Sequence, residues 1–328
     1  MNRVDERFRS MGCDARVRLE SGVLHEAELA ALARSVRSSL EAADRTLTRF
    51  DTASELCRLN ADPRERVPVS PLVERLARAA VWAGEASGGL VDATLAREIE
   101  AAGYAGSRTG LVAAPLGAAL AAAPVRRPAR ALARPGCAQL SVQGAAVARP
   151  PGVRLDSGGL GKGLAADVAS ELLPGGVRYA ISAGGDMAVG GGDWEVAVAG
   201  AFDGAEVHRL RMGPGGVATS GIHERLWRRG DGRFAHHLLD PSTGEPAWTG
   251  LVAATATASS ALEAEVLAKT ALLSGPVAAR RVLRRGGGVL QHDDGRVEVL
   301  APAAVVRLPR PGAAHAGPGG AAAPRSAA

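Results

Sequence analysis

The sequence predicts an α+β fold, because helical and strand-like patterns are mixed along the chain without regular βα repeats. Apolar residues recur at helical spacing in residues 24–50 (LHEAELAALARSVRSSLEAADRTLTRF) and 70–89 (SPLVERLARAAVWAGEASGG). The run WEVAVAG (194–200) instead alternates as a half-buried strand does. A chain of 328 residues can bury a large core, as one large domain or as two smaller ones.

In the first half of the chain, an apolar stripe predicts one helix and an N-cap residue marks the start of a second. The apolar stripe of the first helix is formed by Leu29, Leu32, Val36 and Leu40. The second helix is predicted to begin after Ser70, an N-cap before Pro71, and to stop at Gly88. Residues 106–151 are rich in Ala, Pro, Arg and Gly, which predicts a helix, loops and one short strand.

The second half begins with the strand-like runs VRYAIS (177–182), WEVAVAG and EVHRLRM (206–212). Helices are predicted for residues 259–275 and 276–285, with a break at Gly275-Pro276. We predict one domain over residues 1–308 and a disordered Ala/Gly/Pro-rich tail over residues 309–328.

Composition disfavours nucleic acid as a partner. The net charge is +5 and the pI about 9.7, but arginines and acidic residues alternate along the chain without a long basic run. Aromatic residues are only 3% of the chain, so the stacking residues of a nucleic-acid site are missing. A small ligand that bears phosphate would benefit equally from the basic field. We therefore expect no nucleic-acid partner.

Cysteine usage and hydropathy predict a cytoplasmic location. Cys13, Cys57 and Cys137 form no C-x-x-C pair, which fits a reducing compartment. No stretch of 18 apolar residues lacks a charge or a breaker, and MNRVDERFRSMG has no apolar region typical of a signal peptide. We therefore expect no membrane insertion.

The stretch LDSGGLGKGLAADVASELL (155–173) holds one of only two lysines among 39 basic side chains. It is neither a P-loop nor a dinucleotide fingerprint, because its spacing differs from both. A turn after Asp156, a helix starting near Gly163 and the Lys162 ammonium would together form an anion site. The alternative is a glycine-rich turn with a surface lysine.

Two further segments carry polar groups. YAISAGGDMAVGG (179–191) places Asp186 after a glycine turn, either as a functional carboxylate or as a hairpin corner. Residues 217–247 offer the hydroxyls of Thr219 and Ser220 to phosphate oxygens. The adjacent His236 and His237 face opposite ways on a strand, so they are a poor metal pair.

One of these histidines is a candidate general base, with Asp240 to orient it; the alternative is a structural histidine. Glu265 and Lys269 form an i, i+4 pair on the late helix. Such a pair normally stabilises a solvated helix face, but the flanks in LEAEVLAKTALL are apolar.

Together these segments resemble the ApbE family, the FAD:protein FMN transferases, from about Met11 to Gly275. RSMGCDARVRL looks like the family's opening strand, and Met11 matches a methionine that contacts flavin. In LTRFDTASELCRLN, Phe50 stands where relatives have the flavin-stacking tyrosine. GGLVDATLAREIEAAGY resembles the stretch that lies along FAD, with Asp92 and Thr94 at matching positions.

The 155–173 stretch is similar to the family's most recognisable motif. Asp156 and Lys162 match FAD contacts, and Gly159 matches a residue whose carbonyl faces the metal. ISAGGDMAVGG, ATSG (218–221) and HHLLDPSTGEP (236–246) follow in the family's order. The resemblance implies mixed sheets with flanking helices and an FAD cleft between two subdomains.

The implied reaction is cleavage of FAD, the substrate, with transfer of FMN to a Ser or Thr of a partner flavoprotein and release of AMP. Lys162 would hold the pyrophosphate, and His237 is our candidate base. The acceptors of relatives carry a short Asp-Gly-x-Ser/Thr-Gly-Ala-Thr site, which this chain lacks. The alternatives are an FAD pyrophosphatase that uses water, and a non-catalytic FAD-binding protein with a degenerate metal site.

The late helix departs most from the family pattern. Relatives carry Asp and, four residues on, Thr, and both bind Mg²⁺; here Glu265 and Lys269 occupy those positions. Sliding the register to use Thr270 would turn that residue about 100° away from the site. The resemblance implies Mg²⁺ as a cofactor beside Lys162, but an ammonium cannot ligate a divalent cation. The departure therefore predicts that Mg²⁺ binds weakly or is dispensable.

Overall fold

The computed structural model describes residues 1–107 and 111–302. Eight of the described strands form one large antiparallel sheet. The described strands, in chain order, are β1 (Asn2–Ser10), β2 (Cys13–Ser21), β3 (Arg66–Pro68), β4 (Ser141–Val142), β5 (Ala146–Ala148), β6 (Arg178–Ala183), β7 (Asp186–Gly190), β8 (Trp194–Ala199), β9 (Glu206–Met212), β10 (Gly215–Gly221), β11 (Leu226–Arg228), β12 (Phe234–His236), β13 (Leu239–Asp240), β14 (Glu245–Pro246), β15 (Leu251–Ala258), β16 (Gly288–His292) and β17 (Val297–Leu300). The order in the large sheet is β1-β2-β6-β7-β10-β15-β16-β17.

Helices alternate irregularly with these strands, which confirms the predicted α+β class. The described helices are α1 (Glu26–Leu47), α2 (Glu55–Ala61), α3 (Pro71–Ala86), α4 (Ala96–Ala101), α5 (Leu116–Ala121), α6 (Gly161–Ser170) and α7 (Ala261–Val282). Of the predicted stripe of α1, Leu29, Val36 and Leu40 are buried and Leu32 is partly buried. The Ser70 hydroxyl accepts from the Val73 amide to cap α3. Residues 106–151 contain two short strands, β4 and β5, rather than the one that was predicted. They pair with each other, and β5 also pairs with β3.

Three helices cover the large sheet side by side. α1 packs on β1 and β2, α6 on β6 and β7, and α7 on β10 and β15, with α6 between the other two. Their contacts form two of the main apolar clusters, one centred on α1 and one on α7. A further cluster joins α2 and α3 to the small sheet of β3, β5 and β4. The beginning of α6 and the middle of α7 are thereby fixed beside one end of the sheet.

α6 and α7 meet at a backbone contact. A Cβ on Gly163 would lie only 2.6 Å from the carbonyl oxygen of Ala261, so a side chain there would push the helices apart. Asp167 of α6 caps the start of α7, since its carboxylate accepts from the amides of Ala261 and Leu262 at 2.8 and 2.9 Å. These contacts fix the two helices relative to each other.

α7 carries the predicted break. Gly275 has φ 73° and ψ 170° inside the helix, directly before Pro276. Proline lacks the amide hydrogen and disfavours helical backbone in the residue before it, so the helix changes direction at this point. The predicted disordered tail, residues 309–328, lies outside the described residues. Among the described helices, none combines the length and apolar character that crossing a membrane requires.

We predict that Gly163→Ala lowers the free energy of unfolding by about 1–3 kcal/mol, because the methyl group would overpack the contact with α7. Gly117→Ala is the matched control, since Gly117 is also helical and its Cβ position meets no atom within 4 Å. That control should be stabilising, by up to about 1 kcal/mol, through helix propensity. Urea denaturation measures both. Equal stabilisation by the two variants would contradict the close contact.

Candidate functional site

A cavity of about 1000 Å³ opens at one end of the large sheet. It is bordered by the β1–β2 turn, the end of α1, the loop before α6, the β6–β7 turn, the end of β10 and one face of α7. The structure brings all but two of the predicted site residues to this cavity: Met11, Phe50, Asp92, Asp156, Gly159, Lys162, Thr219, Ser220, His237, Glu265 and Lys269. The two that do not line it are Thr94 and Asp240.

Thr94 acts through Asp92. The Asp92 carboxylate accepts from the amide and hydroxyl of Thr94 and from the amides of Gly136 and Cys137. A Cβ on Gly136 would lie 2.0 Å from the Thr94 hydroxyl oxygen, so only glycine fits there. Thr94 therefore positions a lining carboxylate and the segment behind it.

Asp240 does not orient His237 through any contact that the structure shows. Its carboxylate accepts from the amide of Arg130 and from the amide and hydroxyl of Ser242. Asp240 thus closes the turn between β13 and β14, a common use of aspartate beside a proline and a serine. This corrects the expectation that Asp240 serves the histidine.

The two adjacent histidines separate as a strand pattern predicts. His236 is fully buried, its ring lies 4.8 Å from that of Trp248, and burial lowers its pKa to about 3. His237 lies on the cavity instead. Burial, and then the positive charges of Arg225 and Lys269, hold the pKa of His237 well below its ordinary value. Its Nδ1 has no hydrogen-bond partner among the described residues. A neutral imidazole on the cavity can accept a proton.

Lys162 pairs with the buried carboxylate of Asp186, so it is not the surface lysine of the alternative interpretation. The Lys162 ammonium contacts Asp186 Oδ2, and their side chains are 19% and 1% exposed. Burial lowers the pKa of Lys162, but the charges of Asp186 and Glu265 outweigh it and raise that pKa overall. Asp186 Oδ1 has no hydrogen-bond partner among the described residues. Asp186 is both the hairpin corner and a lining carboxylate.

Glu265 and Lys269 form a second buried pair across one turn of α7. Lys269 Nζ lies 3.9 Å from Glu265 Oε1, too far for a hydrogen bond, and the side chains are 12% and 2% exposed. Glu265 Oε2 accepts from the Gly163 amide at 2.9 Å. Burial and the neighbouring Asp186 raise the pKa of Glu265, whereas burial lowers that of Lys269 against the attraction of Glu265.

Thr270 is turned away from the cavity, as its register predicts. Its hydroxyl donates to the Val266 carbonyl at 2.7 Å, inside the helix. Gly159 passes beside Lys269, since a Cβ on Gly159 would lie 3.2 Å from Lys269 Cε.

The residues present do not fit a Mg²⁺ ion. Mg²⁺ prefers an octahedral set of oxygen ligands, whereas an ammonium offers donors only. Here each of the buried carboxylates Asp186 and Glu265 stands beside an ammonium, and Lys269 fills the space between Glu265 and Gly159. Within residues 1–107 and 111–302, no group of three or more His, Cys, Asp or Glu side chains could hold a metal.

An aromatic platform borders the cavity at the end of α1. Phe50 is 41% exposed and lies 5.6 Å from Tyr104, ring to ring. The Arg49 guanidinium lies 4.3 Å from the Phe50 ring and 4.7 Å from the Tyr104 ring, and donates to the Tyr104 carbonyl at 2.6 Å. Arg49 Nε also lies 3.4 Å from Asp156 Oδ2. Phe50 thus presents a supported ring face to the cavity.

Met11 also lines the cavity, in a conformation that non-glycine residues rarely adopt, with φ 53°. Its amide donates to Asp44 Oδ2 at 2.7 Å, which holds the β1–β2 turn against α1. Its methyl group lies next to the start of α6, 3.3 Å from a Cβ built on Gly161. The turn is therefore shaped to place this side chain at the cavity.

Four residues that line the cavity were not predicted from the sequence: Arg49, Tyr104, Glu224 and Arg225. Arg49 directly precedes Phe50, so the aromatic match was the signal that could have found it. Tyr104 ends the quoted stretch GGLVDATLAREIEAAGY, and a tyrosine in a chain so poor in aromatics was also a signal. We find no sequence signal for Arg225, one of 37 arginines.

Solved structures share this fold. The ApbE protein from Thermotoga maritima superposes with a TM-score of 0.73 at 24% identity, over 91% of this chain and 97% of that one. The flavin transferase ApbE from Vibrio cholerae gives a TM-score of 0.71 at 21% identity, over 92% and 97%. At this level of identity the likeness concerns the fold.

A protein of Klebsiella pneumoniae named FAD:protein FMN transferase is 30% identical over 278 residues, 80% of this chain and 76% of that protein. One of Escherichia coli K12 with the same name is 32% identical over 146 residues, 42% of this chain and 41% of that protein. The model of the ApbE family matches residues 11–291. The chain therefore belongs to the ApbE family.

Proposed function

We propose that this protein is an FAD:protein FMN transferase. FAD would be cleaved at its pyrophosphate, FMN would pass to a Ser or Thr hydroxyl of an acceptor protein, and AMP would be released. The observation that carries the proposal is a single cavity that joins an exposed aromatic ring, Phe50, to two largely buried ammonium groups and a neutral histidine. The ring system of FAD would stack on Phe50, and its diphosphate would face the ammonium groups. The names of the relatives support the same activity.

The proposed step conserves atoms and charge. The acceptor hydroxyl oxygen forms a bond to the phosphorus of the FMN half, and the bridging P–O bond breaks. AMP leaves with the bond's electron pair, and the hydroxyl proton passes to His237. His237 suits this role because its lowered pKa keeps the imidazole unprotonated at neutral pH. Lys162 would stabilise the negative charge that gathers on the departing phosphate.

The remaining lining residues would bind and orient the flavin. Phe50 and Met11 both line the cavity, and their side chains would contact the flat flavin ring. Thr219 and Ser220, at the end of β10, would offer hydroxyls to phosphate oxygens. Asp92 and Asp156, which also line the cavity, would accept from the ribityl or ribose hydroxyls.

We propose a cytoplasmic acceptor flavoprotein that carries a Ser/Thr flavinylation motif. The unpaired thiols of Cys13, Cys57 and Cys137 support a reducing compartment. Incubation of the purified protein with FAD, with and without an acceptor peptide, followed by mass spectrometry, tests the activity. AMP together with a modified peptide supports the proposal. AMP with an unmodified peptide would make the protein a pyrophosphatase, and intact bound FAD would make it a flavin-binding protein.

Lys162→Arg should fold and yet release AMP at least about tenfold more slowly, because the planar guanidinium replaces a compact ammonium beside Asp186. Lys162→Ala should lose AMP release and also about 3–5 kcal/mol of stability, since it leaves the buried Asp186 carboxylate unpaired. An AMP assay and urea denaturation measure these effects. Full activity of Lys162→Arg would contradict the prediction that catalysis requires a compact ammonium at this position.

Phe50→Ala should raise the Kd for FAD about three- to tenfold, while turnover at saturating FAD changes less. The reason is that the ring contacts the bound flavin but not the reacting phosphate. Phe202→Ala is the matched control, because Phe202 is similarly exposed but lies away from the cavity. Quenching of flavin fluorescence measures the affinity. An unchanged Kd in Phe50→Ala would take Phe50 out of the site.

Transfer to the acceptor should change less than about twofold between about pH 7.5 and pH 6. A free histidine would become largely protonated over this range, with a pKa of about 6.5. His237 accepts the proton only when neutral, and its lowered pKa moves the acid limb of the rate below that range. Initial rates of peptide flavinylation at saturating FAD measure the profile. A steep fall that begins near pH 7 would show that a different base acts.

A further inference from the structure

Cleavage of a diphosphate needs positive charge at the phosphates, because negative charge gathers on the leaving group as the bond breaks. A bound divalent cation or a fixed ammonium can supply that charge. The present inference rests on the proposed function and concerns which of the two this chain uses.

The arrangement of buried charges favours ammonium. Asp186 and Glu265 are both buried, and each stands beside one lysine, Lys162 or Lys269. These are the only two lysines in the chain, against 37 arginines. Both ammonium groups lie on the cavity. A cation placed between the carboxylates would face two like charges at close range.

Lys269 is held in place rather than free to leave the cavity. Its side chain is 12% exposed, its stem packs against Gly159 with 3.2 Å to a Cβ built there, and Glu265 lies one turn away. Glu265 is itself fixed by the Gly163 amide, at the contact between α6 and α7. Both lysines are therefore linked to this contact, Lys269 through Glu265 and Lys162 as the residue directly before Gly163.

We propose that the Lys269 ammonium, held by Glu265 and Gly159, takes the place of a divalent cation at the FAD phosphates, so that FMN transfer by this protein requires no metal. Lys162 and Lys269 together supply two positive charges to the diphosphate. The protein binds FAD and releases AMP in the presence of a chelator.

The test compares the wild-type protein with Lys269→Thr, which removes the charge and adds a hydroxyl oxygen that can ligate a cation. Arg281→Thr is the matched control, because it removes one positive charge from an exposed position on the same helix. Two quantities are measured on FAD-loaded protein: Mn²⁺ binding by electron paramagnetic resonance, with free FAD as background, and the rate of AMP release with Mg²⁺ or with EDTA.

For the wild type and for Arg281→Thr, we expect no Mn²⁺ binding above the FAD background and AMP release in EDTA within about twofold of that in Mg²⁺. For Lys269→Thr, we expect release in EDTA to fall about tenfold or more, with Mn²⁺ binding and a recovery in Mg²⁺. The wild-type measurements are decisive even if the variant does not fold.

Saturable Mn²⁺ binding by the wild type, or loss of its AMP release in EDTA, would overturn the proposal. If the protein releases no AMP under any condition, the transferase function itself fails, and the catalytic part of this proposal fails with it. The Mn²⁺ measurement then still decides whether Lys269 occupies the place of a cation.

Discussion

Helices α6 and α7 meet through backbone at Gly163, where no side chain fits, and the charged end of the cavity is built on that contact. The Gly163 amide donates to Glu265, and Asp167 caps the first amides of α7. Lys162 precedes this glycine and Lys269 follows Glu265 by one helical turn. A change in the distance between the two helices would therefore move both ammonium groups at once.

Burial of so many charges is costly unless each has a partner. The cavity meets this requirement with two carboxylates and two ammonium groups, but it leaves one oxygen of Asp186 and one of Glu265 without a hydrogen bond among the described residues. Groups that are fixed but incompletely paired are ready to interact with a ligand, and they need no reorganisation when charge develops. The charge at the aromatic end of the cavity also has partners: the Arg49 guanidinium contacts the rings of Phe50 and Tyr104, the Tyr104 carbonyl and Asp156.

Much of this could be predicted from the sequence, because the informative patterns are local. The stripe of α1, the cap at Ser70 and the break at Gly275-Pro276 depend on neighbouring residues, and the structure has all three. The rarity of lysine drew attention to Lys162 and Lys269, and both lie on the cavity. The register of α7, which separates Lys269 from Thr270, follows from helix geometry alone.

The tertiary structure decided the partners. Lys162 pairs with Asp186, 24 positions away, and Arg49 binds the carbonyl of Tyr104, 55 positions away. No local pattern encodes such pairs, because they depend on which strands and helices become neighbours. The same holds for Asp240, which we expected to orient His237, whereas its carboxylate accepts hydrogen bonds from the amides of Arg130 and Ser242. The sequence by itself determined which residue types and local elements are present. Folding determined which charges face each other, because long-range packing sets those distances.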